Sequence, residues 1–141
     1  MAVSGCPRNC AEATCKDVGV VCTDAGYNIG VGGAAGLDLK ETQFLHTTKT
    51  EDEAMEVIVA FVQLYREHAR YLDRPYKWID KVGLPWVKAQ VVDDAENRAA
   101  LVARFDHSQT IYQRDPWADR TEGTGKEEFT PLADLTLRAA E

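Results

Sequence analysis

Seven of the chain's ten glycines fall between Gly5 and Gly36, around two short β-prone runs, Asp17 to Thr23 and Tyr27 to Val31. Glycine loses more conformational freedom on folding than any other residue, so this density is tolerable only where tight turns or close backbone approach demand it. Asp24-Ala25-Gly26 supplies turn chemistry between the runs, and the segment reads as a β-hairpin leading into a glycine-rich connection from Gly30 to Gly36. That connection lacks both the G-x-G-x-x-G spacing of a dinucleotide fingerprint and the Lys-Ser/Thr ending of a P-loop. It reads equally as a tight link at a sheet edge and as a loop facing a ligand.

From residue 50 onward the pattern is helical. Thr50 followed by Glu53 predicts a capping box, and Glu51, Asp52 and Glu53 suit the positive end of the helix dipole. Ala54, Val57, Ile58, Phe61, Leu64, Tyr65, Ala69 and Leu72 recur at three-to-four spacing, which predicts a helix over 50–72 with one buried stripe. Pro75 opens a second helix through Val82, with Gly83 placed for the left-handed position beyond its end. A third helix is expected over Pro85 to Val92 and a fourth from Asp93, capped with Glu96, to about Ser108. Short antiparallel strands with a Gly-rich loop, packed against several helices, make an α+β fold. Residues 1–112 are read as the folded part and 113–141 as a polar tail, whose apolar end from Phe129 to Leu137 is expected to dock on the domain or on another chain.

Sixteen Lys and Arg against 23 Asp and Glu leave a net charge of −7, a field that repels phosphate backbones and argues against nucleic acid as a partner. Arg66, Arg70 and Arg74, four residues apart, read either as a local anion-binding face or as a solvated helix face interleaved with Glu67 and Asp73. No apolar run approaches the ~20 residues of a membrane-spanning helix, and Met1 to Cys6 has no export-signal character. A cytoplasmic protein with no membrane partner is expected. His46, His68 and His107 are widely separated and form no nucleophile motif, so no catalytic residue is assigned within the chain.

The four cysteines, Cys6, Cys10, Cys15 and Cys22, crowd into the first 22 residues without any C-x2-C pair, the usual structural-zinc spacing. In a reducing compartment such clustering points to metal or redox chemistry before disulfides. Cys6-Pro7-Arg8-Asn9-Cys10 carries the chemical content: a proline-fixed turn can aim both thiols at one site, whereas on a regular strand they would lie ~13 Å apart. Cys15 and Cys22 read as further ligands or as small apolar residues.

The longer text is more specific. Gly5-Cys6-Pro7-Arg8-Asn9-Cys10-Ala11-Glu12-Ala13, the strand pair ending near Gly32-Gly33, and Gln63-Leu64-Tyr65-Arg66-Glu67 in a long helix resemble the siroheme and [4Fe-4S] domain of nitrite and sulfite reductases, from about Ala2 to Gln109. Sulfite reductases typically carry Asn-Gly where this chain has Arg8-Asn9, so the resemblance favours the nitrite branch, at the C-terminal end of an NAD(P)H-dependent large subunit.

The resemblance implies that Cys6 and Cys10 are the second thiolate pair of a [4Fe-4S] cluster, that Cys10 also bridges to the siroheme iron as its axial ligand, and that Arg8 and Asn9 either contact the cofactors or shape the turn. It implies six-electron reduction of nitrite to ammonia, with FAD and NAD(P)H bound elsewhere in the parent chain. The remainder of the large subunit, and a small subunit, are the implied partners. The family's first cysteine pair and its substrate-gripping basic residues have no counterpart here, so the chain is expected to be part of an enzyme and inactive alone. The alternative is a stand-alone, non-catalytic protein that binds zinc through its cysteines or contacts a partner.

Overall fold

The structure, a computed structural model, describes residues 1–112 together with Asp115 and Ala118. The chain divides between His107 and Ser108 into two units, and the first carries the fold. The expected tail over 113–141, with its docking end, lies outside the described residues apart from those two positions.

The predicted hairpin is present as β2 (Val18–Thr23) and β3 (Gly26–Val31), paired antiparallel from Val18↔Val31 to Thr23↔Gly26. It has neighbours on both sides. β1 (Ala2–Ser4) runs parallel to β2, and β6 (Gln43–Thr48) pairs antiparallel with β3, so the sheet is mixed and ordered β1-β2-β3-β6. Between β3 and β6, a separate two-stranded ribbon forms from β4 (Ala34–Ala35) and β5 (Leu39–Lys40).

Alternation along the hairpin sends Val18, Val20, Ile29 and Val31 to one face, where Leu45 of β6 joins them. The helix α1 (Glu51–His68) lays Val57, Ile58, Phe61 and Leu64 on this face, all at most 5% exposed. Its capping box is complete: Thr50 Oγ1 accepts from the Glu53 amide at 3.2 Å and the Glu53 carboxylate accepts from the Thr50 amide at 3.2 Å. The helix ends at His68, earlier than the expected 72. Ala69 remains partly buried against the core, but Leu72 sits in the following turn at φ 68°, exposed, and is no part of the stripe.

Next, α2 (Pro75–Val82) starts at its proline and stops at Gly83, whose φ of 84° is open to glycine at little cost. Trp78, 2% exposed, meets Phe61, Tyr65 and Trp86 at ring separations of 5.7–6.3 Å, which locks α2 to α1. The expected third helix begins as α3 (Leu84–Lys88) and widens into a π-helical turn, Ala89–Asp93. α4 follows over Ala95–Tyr112, and Asp94, not Asp93, caps it by accepting the Asn97 amide at 2.8 Å.

Glu67 of α1 and Arg104 of α4 form a two-pronged ion pair, with Nε to Oε1 at 2.7 Å and an Nη to Oε2 at 3.0 Å. The Arg104 hydrogen bond, helped by the Gln63 amide and opposed by partial burial, lowers the Glu67 pKa from 4.5 to about 2. A carboxylate depressed in the folded state contributes its stability above the unfolded pKa and loses it as pH falls through the folded one. Glu67→Gln should therefore cost roughly 0.5–1 kcal/mol in urea denaturation at pH 7, as expected for a half-exposed pair. The difference from the parent should shrink progressively between pH 4.5 and about 2.

Candidate metal centre

The C-x3-C segment lies in the crossover that carries the chain from β1 to the parallel β2. Three tight turns follow one another: the Asn9 amide donates to Cys6 O at 3.2 Å, the Glu12 amide to Asn9 O at 2.9 Å, and the Lys16 amide to Ala13 O at 3.3 Å, closing a 3-10 turn over Ala13–Cys15. Pro7 and Arg8 form the corner of the first turn. Asn9 and Glu12 both hold left-handed backbone, φ 55° and 53°. That conformation costs an ordinary side chain roughly 1–2 kcal/mol, and asparagine is among the few that adopt it routinely.

The Asn9 side chain explains why the loop holds. Its Oδ1 accepts from the Ala13 amide at 2.7 Å and from Ser4 Oγ at 3.2 Å, while its Nδ2 donates to Thr14 Oγ1 at 2.7 Å. Ser4, at the end of β1 and 3% exposed, accepts in turn from the Ala11 amide at 3.1 Å. Both lone pairs of the Asn9 carbonyl and one of its two amide hydrogens are thereby engaged inside the loop. Ser4 and Thr14 went unnoticed in the sequence; their only signal there is a hydroxyl residue on each side of the cysteine pair.

Cys6 and Cys10 are free and exposed on this loop, with Arg8, also exposed, between them. Cys15 and Cys22 do not join them. Cys15 is half-buried, its thiol 3.2 Å from Glu12 O, and it lines an open cleft of about 420 Å³ with Lys16, Asp17, the Ala34–Leu37 stretch and Arg74. Cys22 sits near the far end of β2, paired with Tyr27. Among the described residues no three His, Cys, Asp or Glu side chains come together to hold a metal ion, so the zinc alternative finds no ligand set there.

The anion-binding reading of the three arginines also fails on geometry. The helix ends between them; Arg74 forks onto Asp17 with contacts of 2.8–3.1 Å, and Arg66 donates to Gln63 Oε1 and lies over the Phe105 ring. His46, His68 and His107 fall on β6, α1 and α4 and make no common site. No helix among the described residues is long and apolar enough to cross a membrane.

A model of the nitrite and sulphite reductase 4Fe-4S domain matches residues 1–99. The chain is 44% identical over 131 residues to a nitrite reductase [NAD(P)H] of Bacillus subtilis, covering 92% of this chain and 16% of that protein. It is 32% identical over 94 residues to the nitrite reductase (NADH) large subunit of Escherichia coli, covering 65% of this chain and 11% of that one. An assimilatory-type sulfite reductase of Nitratidesulfovibrio vulgaris is 32% identical over 90 residues, 64% of this chain and 41% of that one. The chain belongs to the nitrite and sulphite reductase 4Fe-4S domain family.

The donor chemistry fits half of a family cluster. A [4Fe-4S] cluster is held by four thiolates; two free thiols share one exposed, internally braced loop, and no third donor stands with them among the described residues. Exposure sorts the thiols: under limiting iodoacetamide, peptide mass spectrometry of the reduced chain should show Cys6 and Cys10 alkylated several-fold ahead of half-buried Cys15 and Cys22.

Proposed function

We propose that the chain supplies the C-x3-C half of the cofactor centre in a nitrite reductase, with Cys6 and Cys10 as thiolate ligands of a [4Fe-4S] cluster and Cys10 also the axial ligand of a siroheme. The carrying observation is the pair of free, exposed thiols on a loop held in shape by the hydrogen bonds of the Asn9 side chain. When bound, the coupled pair supplies electrons one at a time to the iron that binds substrate, which six-electron reduction of nitrite to ammonia requires. Arg8, exposed between the two cysteines, offers a permanent cation to cluster sulfur or to siroheme carboxylates. Asn9, whose carbonyl oxygen and one amide hydrogen are engaged inside the loop, shapes the turn that carries the two cysteines.

The chain spans about 16% of the Bacillus relative. In this reading the other two thiolates, the groups that grip substrate, FAD and the NAD(P)H site belong to the remainder of a cytoplasmic parent chain, which works with a small subunit. Arg8-Asn9 favours nitrite over sulfite.

In the full-length parent, Cys6→Ser and Cys10→Ser should each lower iron and acid-labile sulfide on the order of tenfold or more, and Cys10→Ser should also alter the siroheme absorption bands. Unchanged cluster content in either variant would refute the assignment. The isolated 141 residues should not oxidise reduced methyl viologen with nitrite, since in this reading two of the four cluster thiolates come from the remainder of the parent chain.

A further inference from the structure

Beneath the cysteine loop, the sheet has been stripped of side chains. Gly19 and Gly30 stand directly opposite each other in β2 and β3, on the face away from the helices. A Cβ on Gly19 would fall 1.9 Å from Ala13 O, and one on Gly30 would fall 2.5 Å from Thr42 Oγ1. No real side chain fits at either distance, so the 3-10 turn and Thr42 rest on bare backbone. The Thr42 amide then donates to Thr14 O at 2.7 Å. Thr14 is thus held from the sheet side by Thr42 and grips Asn9 Nδ2 from the other, while Ser4, fixed by β1 pairing with β2, grips Asn9 Oδ1.

We infer that Ser4, Asn9 and Thr14 form a positioning clasp, seated on the Gly19–Gly30 saddle, that sets the Cys6 and Cys10 thiolates in their ligating arrangement before a cluster binds. The inference rests on the proposed function and deepens it: Asn9 acts through the cysteines, not by touching the cofactor. The chemistry of Asn9 fits this role. It lies between the two thiols in sequence, its backbone is left-handed, and its carboxamide ties the turn both to Ser4 at the end of β1 and to Thr14 in the 3-10 turn. Groups behind metal ligands that fix ligand orientation typically change metal affinity by 10–100-fold when removed.

Asn9→Gly keeps the left-handed backbone and deletes only the clasp. Asn9→Asp keeps the acceptor for the Ala13 amide, and the Thr14 hydroxyl can turn to donate to it. In the full-length holoenzyme, Asn9→Gly should bind its cluster about tenfold more weakly in chelator competition, with a shifted cluster reduction potential and a broadened electron paramagnetic resonance signal. Asn9→Asp should restore most of this. Cys6→Ser is run alongside. If Cys6→Ser leaves the cluster intact, the functional reading fails and the clasp with it. If Cys6→Ser loses the cluster while Asn9→Gly keeps the parent's affinity, potential and signal, the clasp alone is overturned. Should Asn9→Gly not fold, Thr14→Val, which removes the acceptor at a half-buried position, decides by the same three readouts.

Discussion

The β2–β3 hairpin has two unlike faces, and both layers of the protein depend on that difference. Val18, Val20, Ile29 and Val31 point one way and recruit Leu45 and the α1 stripe into a single apolar core. Gly19, between two of those valines, points the other way and leaves room for the Ala13 carbonyl. With alternation at a period of two, the pattern that builds the core also exposes the backbone that carries the cysteine loop. A one-residue slip in register would put the glycines against the helices and valines under the loop, so register in the hairpin is specified from both sides at once.

The helices serve this hairpin more than they serve the loop directly. The indole of Trp78 is wedged among Phe61, Tyr65 and Trp86, and Gly32, at φ 76°, lets the chain leave β3 so close to α2 that a Cβ there would meet Ile79 at 2.9 Å. Gly33 next to it packs its bare backbone on Lys16, where a Cβ would fall 2.5 Å from the carbonyl oxygen. One short stretch of glycine therefore joins the helical layer on one side to the end of the cysteine crossover on the other. The glycine-rich connection works as a close-packed joint leaving an inner strand, not a sheet edge, and its end at Ala34 to Gly36, with Leu37, lines the open cleft beside Cys15.

What could be read from the sequence was what local chemistry decides. The Thr50/Glu53 capping box, Pro75 opening α2, Gly83 closing it and the Asp24-Ala25 turn all depend on residues within a few positions of each other. Pairing across the chain and the point where a helix stops decide the rest. β1 and β6 exist because β2 and β3 offer them hydrogen bonds, and three residues such as Ala2–Ser4 carry no periodicity of their own. Leu72 matches the helical spacing, yet α1 has already stopped at His68 and the following turn takes Leu72 into solvent. At the site, the thiols were recognisable from their spacing. The residues that hold them were not, because Ser4 and Thr14 meet Asn9 only after the crossover has folded back.

Donor count then sets how the chain must be understood. In the proposed reading, a loop that presents two exposed thiols and is braced by the Asn9 side chain is fully built as a structure and supplies half of a metal centre. The bracing matters more for being incomplete. When two donors must meet two others from a separate part of a protein, freezing one pair beforehand removes part of the ordering cost at the moment of assembly. A floppy pair would leave that cost to be met by the cluster itself. The glycine saddle, the left-handed Asn9 and its three side-chain hydrogen bonds place the expense in folding, where the apolar core under the opposite face of the hairpin can offset it.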